Sequence, residues 1–262
     1  MANLLIYALI VFIATASGSS TGLGGGVVIK PLFDIVCNAG TATINFYSSL
    51  AVFVMAIVSL GKQLKQKFKF DFKSLITISI GSICGGFLGQ KLLTWVIQTM
   101  PENHVKVLQS MMLFVMLLTV LVYNFVKKRL VSFHLTNLIA ILSVGIGLGC
   151  FSVFLGIGGG PINVALMMLL FSFSLREAAV YSVGIIFFSQ LTKMVTIAVN
   201  PIKPPISISI MAAVIVAAIV GGFAGTWLNR HASCKLLNRI YTLLLSALVC
   251  VTLFNTLHYA GI

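Results

Sequence analysis

The sequence predicts an all-α polytopic membrane protein of about ten apolar helical segments in two inverted repeats, each beginning with a glycine-broken, re-entrant-like hairpin. Three observations predict it. Of the 262 residues, 59% are hydrophobic and 8% charged. A soluble domain carries about 25% charged residues, and no soluble core hides this much apolar surface, so the solvent is a bilayer. Apolar runs recur at about the 20 residues that a span needs. Glycine strings also recur in the same order: "GLGGG" (Gly22–Gly26) returns as "GIGGG" (Gly156–Gly160), and "GGFLG" (Gly85–Gly89) as "GGFAG" (Gly221–Gly225).

The net charge of +13 does not point to nucleic acid, because the basic residues sit in short clusters between apolar runs and not along one face. They read as topology signals. No cleavable signal peptide is expected, since the N-terminus lacks a basic leader segment. Cys37, Cys84, Cys150, Cys234 and Cys250 show no metal-ligand spacing and are read as buried free thiols.

The first apolar segment, Leu4–Gly18, would rise only about 22 Å as a helix, short of a hydrocarbon core about 30 Å thick. It meets the segment 22–36 at the first glycine string, which reads as a hairpin turning back inside the membrane. Spans follow at 41–60, 74–95 and 105–126. A second hairpin pairs 135–154 with 159–173, and spans at 177–199, 206–228 and 236–257 complete the chain.

Three basic clusters are assigned to the cytoplasm: Lys62, Lys65, Lys67, Lys69 and Lys73; Lys127, Lys128 and Arg129; and Arg230, Lys235 and Arg239. Two crossings separate the first and second clusters, and the number between the second and third comes out even only if 135–154 and 159–173 go in and come back. The same count puts both termini outside. Residues 1–126 then form the first repeat, 127–134 a basic cytoplasmic linker and 135–262 the second repeat. Five segments per half is an odd number, so the second half lies upside down relative to the first.

Irregular backbone at membrane depth survives only when buried in protein or lining a cavity. In an inverted pair, the two glycine tips face each other near the midplane, and each leads into a helix beginning near Val27 or Pro161. Helix starts present N–H groups and partial positive charge, and glycine admits close approach to the backbone, so the pair is expected to hold an anion. No lysine followed by serine or threonine completes a Walker A loop after either string. The "GGFLG" and "GGFAG" strings are read as helix-packing faces.

The paired "GLGGG" and "GIGGGP", their place in each half, and the downstream stretches "GTATIN" (Gly40–Asn45) and "AAVYSVG" (Ala178–Gly184) resemble the TauE/SafE family of sulfite and organosulfonate exporters over the whole chain. The resemblance implies a bacterial cytoplasmic-membrane protein that moves small sulfur-containing anions. The expected binding residues are Thr21, Gly22, Gly24, Gly25, Gly26, Lys30, Asn45, Gly156, Gly158, Gly159, Gly160 and Asn163.

Among ionisable residues, Lys30 and Asp34 follow Gly26 at helical spacing. Lys30 either meets the anion or pairs with Asp34 near the outer interface. For Lys193, snorkelling to the headgroups is favoured over lining an outer vestibule. Neither carboxylate nor histidine is expected as a mid-membrane proton relay. The partners expected are a small anion and the lipid bilayer; no cofactor and no nucleic acid are expected, and a homo-oligomer is left open. An anion carrier working by alternating access is the first reading. An anion channel, or a carrier of another organic anion such as a carboxylate, is the alternative. A hydrolase would need a base beside its nucleophile, and no segment offers one.

Overall fold

The computed structural model describes residues 2–36, 40–65, 72–127, 133–135, 137–199 and 206–260. Cys37, Lys67, Lys69, Asp71, Lys128 and Arg129 lie outside the described residues. Among the described residues ten helices follow one another: α1 (Ala2–Thr21), α2 (Gly26–Val36), α3 (Thr41–Lys65), α4 (Phe72–Thr99), α5 (Glu102–Val126), α6 (Leu138–Leu155), α7 (Gly160–Phe171), α8 (Leu175–Val199), α9 (Ile208–His231) and α10 (Cys234–Ala260). Eight of them, all but the short α2 and α7, are long and apolar enough to cross a bilayer. The chain is a multi-pass membrane protein.

Helix ends differ from the expected spans by up to five residues, and the end of the first segment bears on the site. The first segment does not stop at Gly18; α1 runs 20 residues to Thr21, about 30 Å. Its polar end stays helical because the hydroxyls bond back to carbonyls one turn earlier. Ser20 and Thr21 both donate to the Ser17 carbonyl at 2.8 Å, so no side-chain donor is left bare in an apolar medium. Each hairpin therefore has a long first arm and a short return arm of 11 residues in α2 and 12 in α7.

Glycines set the closest helix contacts. A Cβ on Gly85 or Gly89 of α4 would fall on the Ile146 or Cys150 carbonyl of α6. On α9, Gly225 lies in the same way against the Ala16 carbonyl of α1, and Gly221 against the Thr15 hydroxyl. Lipid supplies no hydrophobic drive between helices, so such close backbone approach does the joining. The helix-packing reading of "GGFLG" and "GGFAG" agrees with these contacts.

Helices α3 and α8 cross near their middles, where Phe53 and Phe187 stack with ring centroids 5.6 Å apart. Polar contacts sort the helix ends into two groups. Glu102 accepts from Thr41 N–H at 2.8 Å, Tyr47 Oη from Ser207 N–H at 2.7 Å, and the Asp34 carbonyl from Tyr259 Oη at 2.5 Å. At the opposite ends, Lys127 Nζ donates to Asn238 at 2.8 Å and Arg176 to the Ala232 carbonyl at 2.5 Å.

The cysteines correct another expectation. The four described ones are free, but Cys84, Cys234 and Cys250 are exposed on the protein surface and Cys150 is half-buried. A thiol behaves as a small apolar group, and in a membrane protein such a group is as well placed facing acyl chains as in the core.

Candidate functional site

Each tip turns on the same three glycine positions. Gly22, Gly24 and Gly25 have φ of 78°, 78° and 57°, and Gly156, Gly158 and Gly159 have 70°, 79° and 72°. At Gly159 a Cβ would also lie 2.8 Å from the Ser152 Cβ, so neither the backbone conformation nor the space admits a side chain.

The two tips meet at the middle of the molecule. Gly26 and Gly158 lie against Val52, and Gly24 and Gly158 against Ile186; each partner sits near the midpoint of a 25-residue helix, α3 or α8. The contacts are reciprocal. Gly26 abuts the Ile157 carbonyl and Gly160 abuts the Leu23 carbonyl. Ser48 donates to the Gly156 carbonyl at 3.1 Å, and Ser182 donates to the Gly22 carbonyl at 2.7 Å. One spacing of 134 positions relates Gly22 to Gly156, Gly26 to Gly160 and Ser48 to Ser182.

The tips thus touch where an open gap was expected, and the Gly26 N–H is used within its own tip, donating to the Gly24 carbonyl. Lacking side chains, the two turns close until backbone meets backbone. A cleft of about 630 Å³ lies elsewhere, against α5, α6 and α7, and is lined by residues such as Met112, Met116, Phe151, Leu155 and Ile162. Its wall is apolar apart from Thr119 and Tyr123, and it carries no charged residue.

The predicted side chains divide into satisfied and unsatisfied groups. Thr21 is buried and bonded within α1. Lys30 is buried, and its Nζ lies 3.1 Å from Asp34 Oδ2; the expected i,i+4 pair is formed, with both side chains enclosed by protein. Asn45 and Asn163 are 2% and 0% exposed, and neither amide group has a hydrogen-bond partner in either. Asn45 Oδ1 reaches Gly156, and Asn163 Oδ1 stands 3.3 Å from the position of a Cβ on Gly159.

Sequence reasoning missed Ser152 and Ser189 and misplaced Lys193. Ser152 and Ser189 meet at 3.3 Å, and Gln190 Nε2 reaches Ser152 at 3.4 Å. Lys193 does not snorkel. It is 1% exposed, its Nζ has no hydrogen-bond partner, and it lies within electrostatic reach of Lys30. The available signal was Ser189, Gln190 and Lys193 recurring at i, i+1 and i+4 within an apolar helix, which puts all three on one interior face.

This polar set is one-sided. Subtracting the 134-position spacing from Ser152, Asn163, Ser189 and Gln190 gives Gly18, Ile29, Met55 and Ala56, and adding it to Asn45 gives Ala179. At these positions the second tip has amides and hydroxyls where the first has apolar residues or glycine, while Ser19, Ser20, Thr21, Lys30 and Asp34 of the first half stand opposite Val153, Phe154, Leu155, Val164 and Met168.

A Bacillus subtilis protein called "Probable membrane transporter protein YunE" is 27% identical over 267 residues, covering 93% of this chain and 94% of its own length. No solved structure matches. The model of the family described as "Sulfite exporter TauE/SafE" matches residues 7–252, nearly the whole chain, and the protein therefore belongs to the TauE/SafE family of membrane transporters.

Proposed function

We propose that the protein is a secondary transporter of the bacterial cytoplasmic membrane that exports small sulfur-containing anions, such as sulfite or organosulfonates, by alternating access. The anion sits at the glycine-rich starts of α2 and α7. The observation that carries this reading is the meeting of two left-handed glycine tips at the centre of α3 and α8, beside buried amides with no partner. Helix starts attract anions through their N–H groups and dipole, and an unsatisfied buried amide costs about 1–3 kcal/mol until something bonds to it.

The reciprocal contacts support a division into two inverted halves, 1–126 and 135–262, joined by the basic linker 127–134. Two halves exchanging equivalent contacts is the arrangement that allows one to rock against the other around a central site. Contact between the tips favours a carrier over the channel alternative, because a conducting pore needs a continuous passage.

Purified protein in liposomes should move sulfite or a short sulfonate without unitary current. A Gly159→Ala protein, forced to hold a Cβ at φ 72°, should bind the anion at least tenfold more weakly, about 1.4 kcal/mol. Unchanged affinity in that folded variant would place the site elsewhere, and discrete single-channel openings would replace the carrier by the channel.

A further inference from the structure

The charged groups buried in the described residues are Lys30, Asp34 and Lys193. With both lysines protonated, two cations and one carboxylate leave a single positive charge. Asp34 is committed to Lys30 at 3.1 Å, so the uncompensated charge belongs to Lys193, whose Nζ has no hydrogen-bond partner. An ammonium removed from water without a counter-charge is among the costliest groups a protein can bury. It stands one helical turn beyond Ser189 and Gln190, which contact Ser152, and Ser152 flanks Gly159 of the second tip. Asn163, with both amide atoms unpartnered, lies beside the same glycine.

We infer that Lys193 is the cation that holds the transported anion, at the second tip, and that the anion carries one negative charge. This rests on the transporter reading above and deepens it. Lys30, the more conspicuous lysine in the sequence, is not the anion's partner, because Asp34 already neutralises it. A singly charged anion such as a sulfonate or hydrogen sulfite brings the buried set to neutrality. A doubly charged one leaves a net negative charge in a dry interior. The partnerless amides of Asn163 and Asn45 supply N–H donors to its oxygens.

The test uses the purified full-length protein and two probes of fixed charge at neutral pH: methanesulfonate, a monoanion, and sulfate, a dianion of similar size. Isothermal titration should find methanesulfonate bound at least tenfold more tightly. Lys193→Met should weaken methanesulfonate at least tenfold, and the empty variant should melt no lower than the parent, since an apolar side chain replaces an unpaired charge. Asp34→Asn should free Lys30 and raise sulfate affinity at least tenfold. Sulfate binding tighter than methanesulfonate in the parent, or undiminished methanesulfonate binding to Lys193→Met, overturns the assignment, as does failure of that variant to fold. If Gly159→Ala abolishes binding while Lys193→Met does not, the tip remains the site and Lys193 is not its cation. If the parent binds neither probe, both readings fall.

Discussion

Gly147 and Gly149 stand two residues apart in α6, yet their surroundings are opposite. A Cβ on Gly147 meets nothing within 4 Å, whereas one on Gly149 would fall on the Ser82 carbonyl of α4. Gly147→Ala should therefore raise the melting temperature, gaining up to about 1 kcal/mol of helix preference. Gly149→Ala should lower it, at an overpacking cost of about 1–3 kcal/mol. Thermal unfolding in one detergent reads both, and equal shifts would mean that α4 and α6 do not pack as described. Such distinctions are invisible in the string "GIGLGC", because which glycine meets a neighbour depends on the rotation of the helix. The contiguous glycines of the tips were legible for the opposite reason: no helix face accounts for them, so they had to mark a turn. Lys193 was misread because a lone lysine late in a span fits snorkelling equally well. Only the packing around α8 shows that its ammonium is enclosed.

At the scale of elements, α3 begins without an acidic residue in its own first turn. Glu102, the first residue of α5, supplies the missing acceptor from 61 positions away, taking the Thr41 N–H at 2.8 Å and the Thr41 hydroxyl at 3.3 Å while Lys106 lies 3.4 Å off. Removing a helix cap costs about 1 kcal/mol. Glu102→Ala should lose that stability in thermal unfolding, and Glu102→Gln, which keeps an accepting oxygen, should retain part of it. Equal melting of parent and Glu102→Ala would show that water caps α3 just as well. The expected spans 74–95 and 105–126 left Glu102 between helices, and a cap supplied in trans leaves no local pattern. Sequence reading found all ten helices, since apolar length and the bracketing loops are local signals, but it stopped α1 short at Gly18, where glycine and serine usually mark an end. Back-bonded hydroxyls carry the helix on to Thr21.

At the scale of the whole molecule, the ends joined by Glu102, Tyr47 and Tyr259 should lie outside, and those joined by Lys127 and Arg176 in the cytoplasm. In a variant stripped of native cysteines, a membrane-impermeant maleimide applied to intact cells should label Ile206→Cys and leave Lys65→Cys untouched; the reverse pattern would invert the orientation. The parity of basic clusters motivates this orientation, whereas the one-sidedness of the polar set emerged only once the tips were brought together. That one-sidedness has an energetic consequence. In the alternating-access carrier proposed above, two inverted halves identical in sequence would give the inward- and outward-facing conformations the same free energy, and the protein would face each side of the membrane for half of the time. Asn163, Gln190 and Lys193, set against Ile29, Ala56 and Ser59 at the equivalent positions, lift that degeneracy. Any resting preference for one side must be written in such unmatched pairs, and exchanging Asn163 with Ile29 is the direct way to shift it.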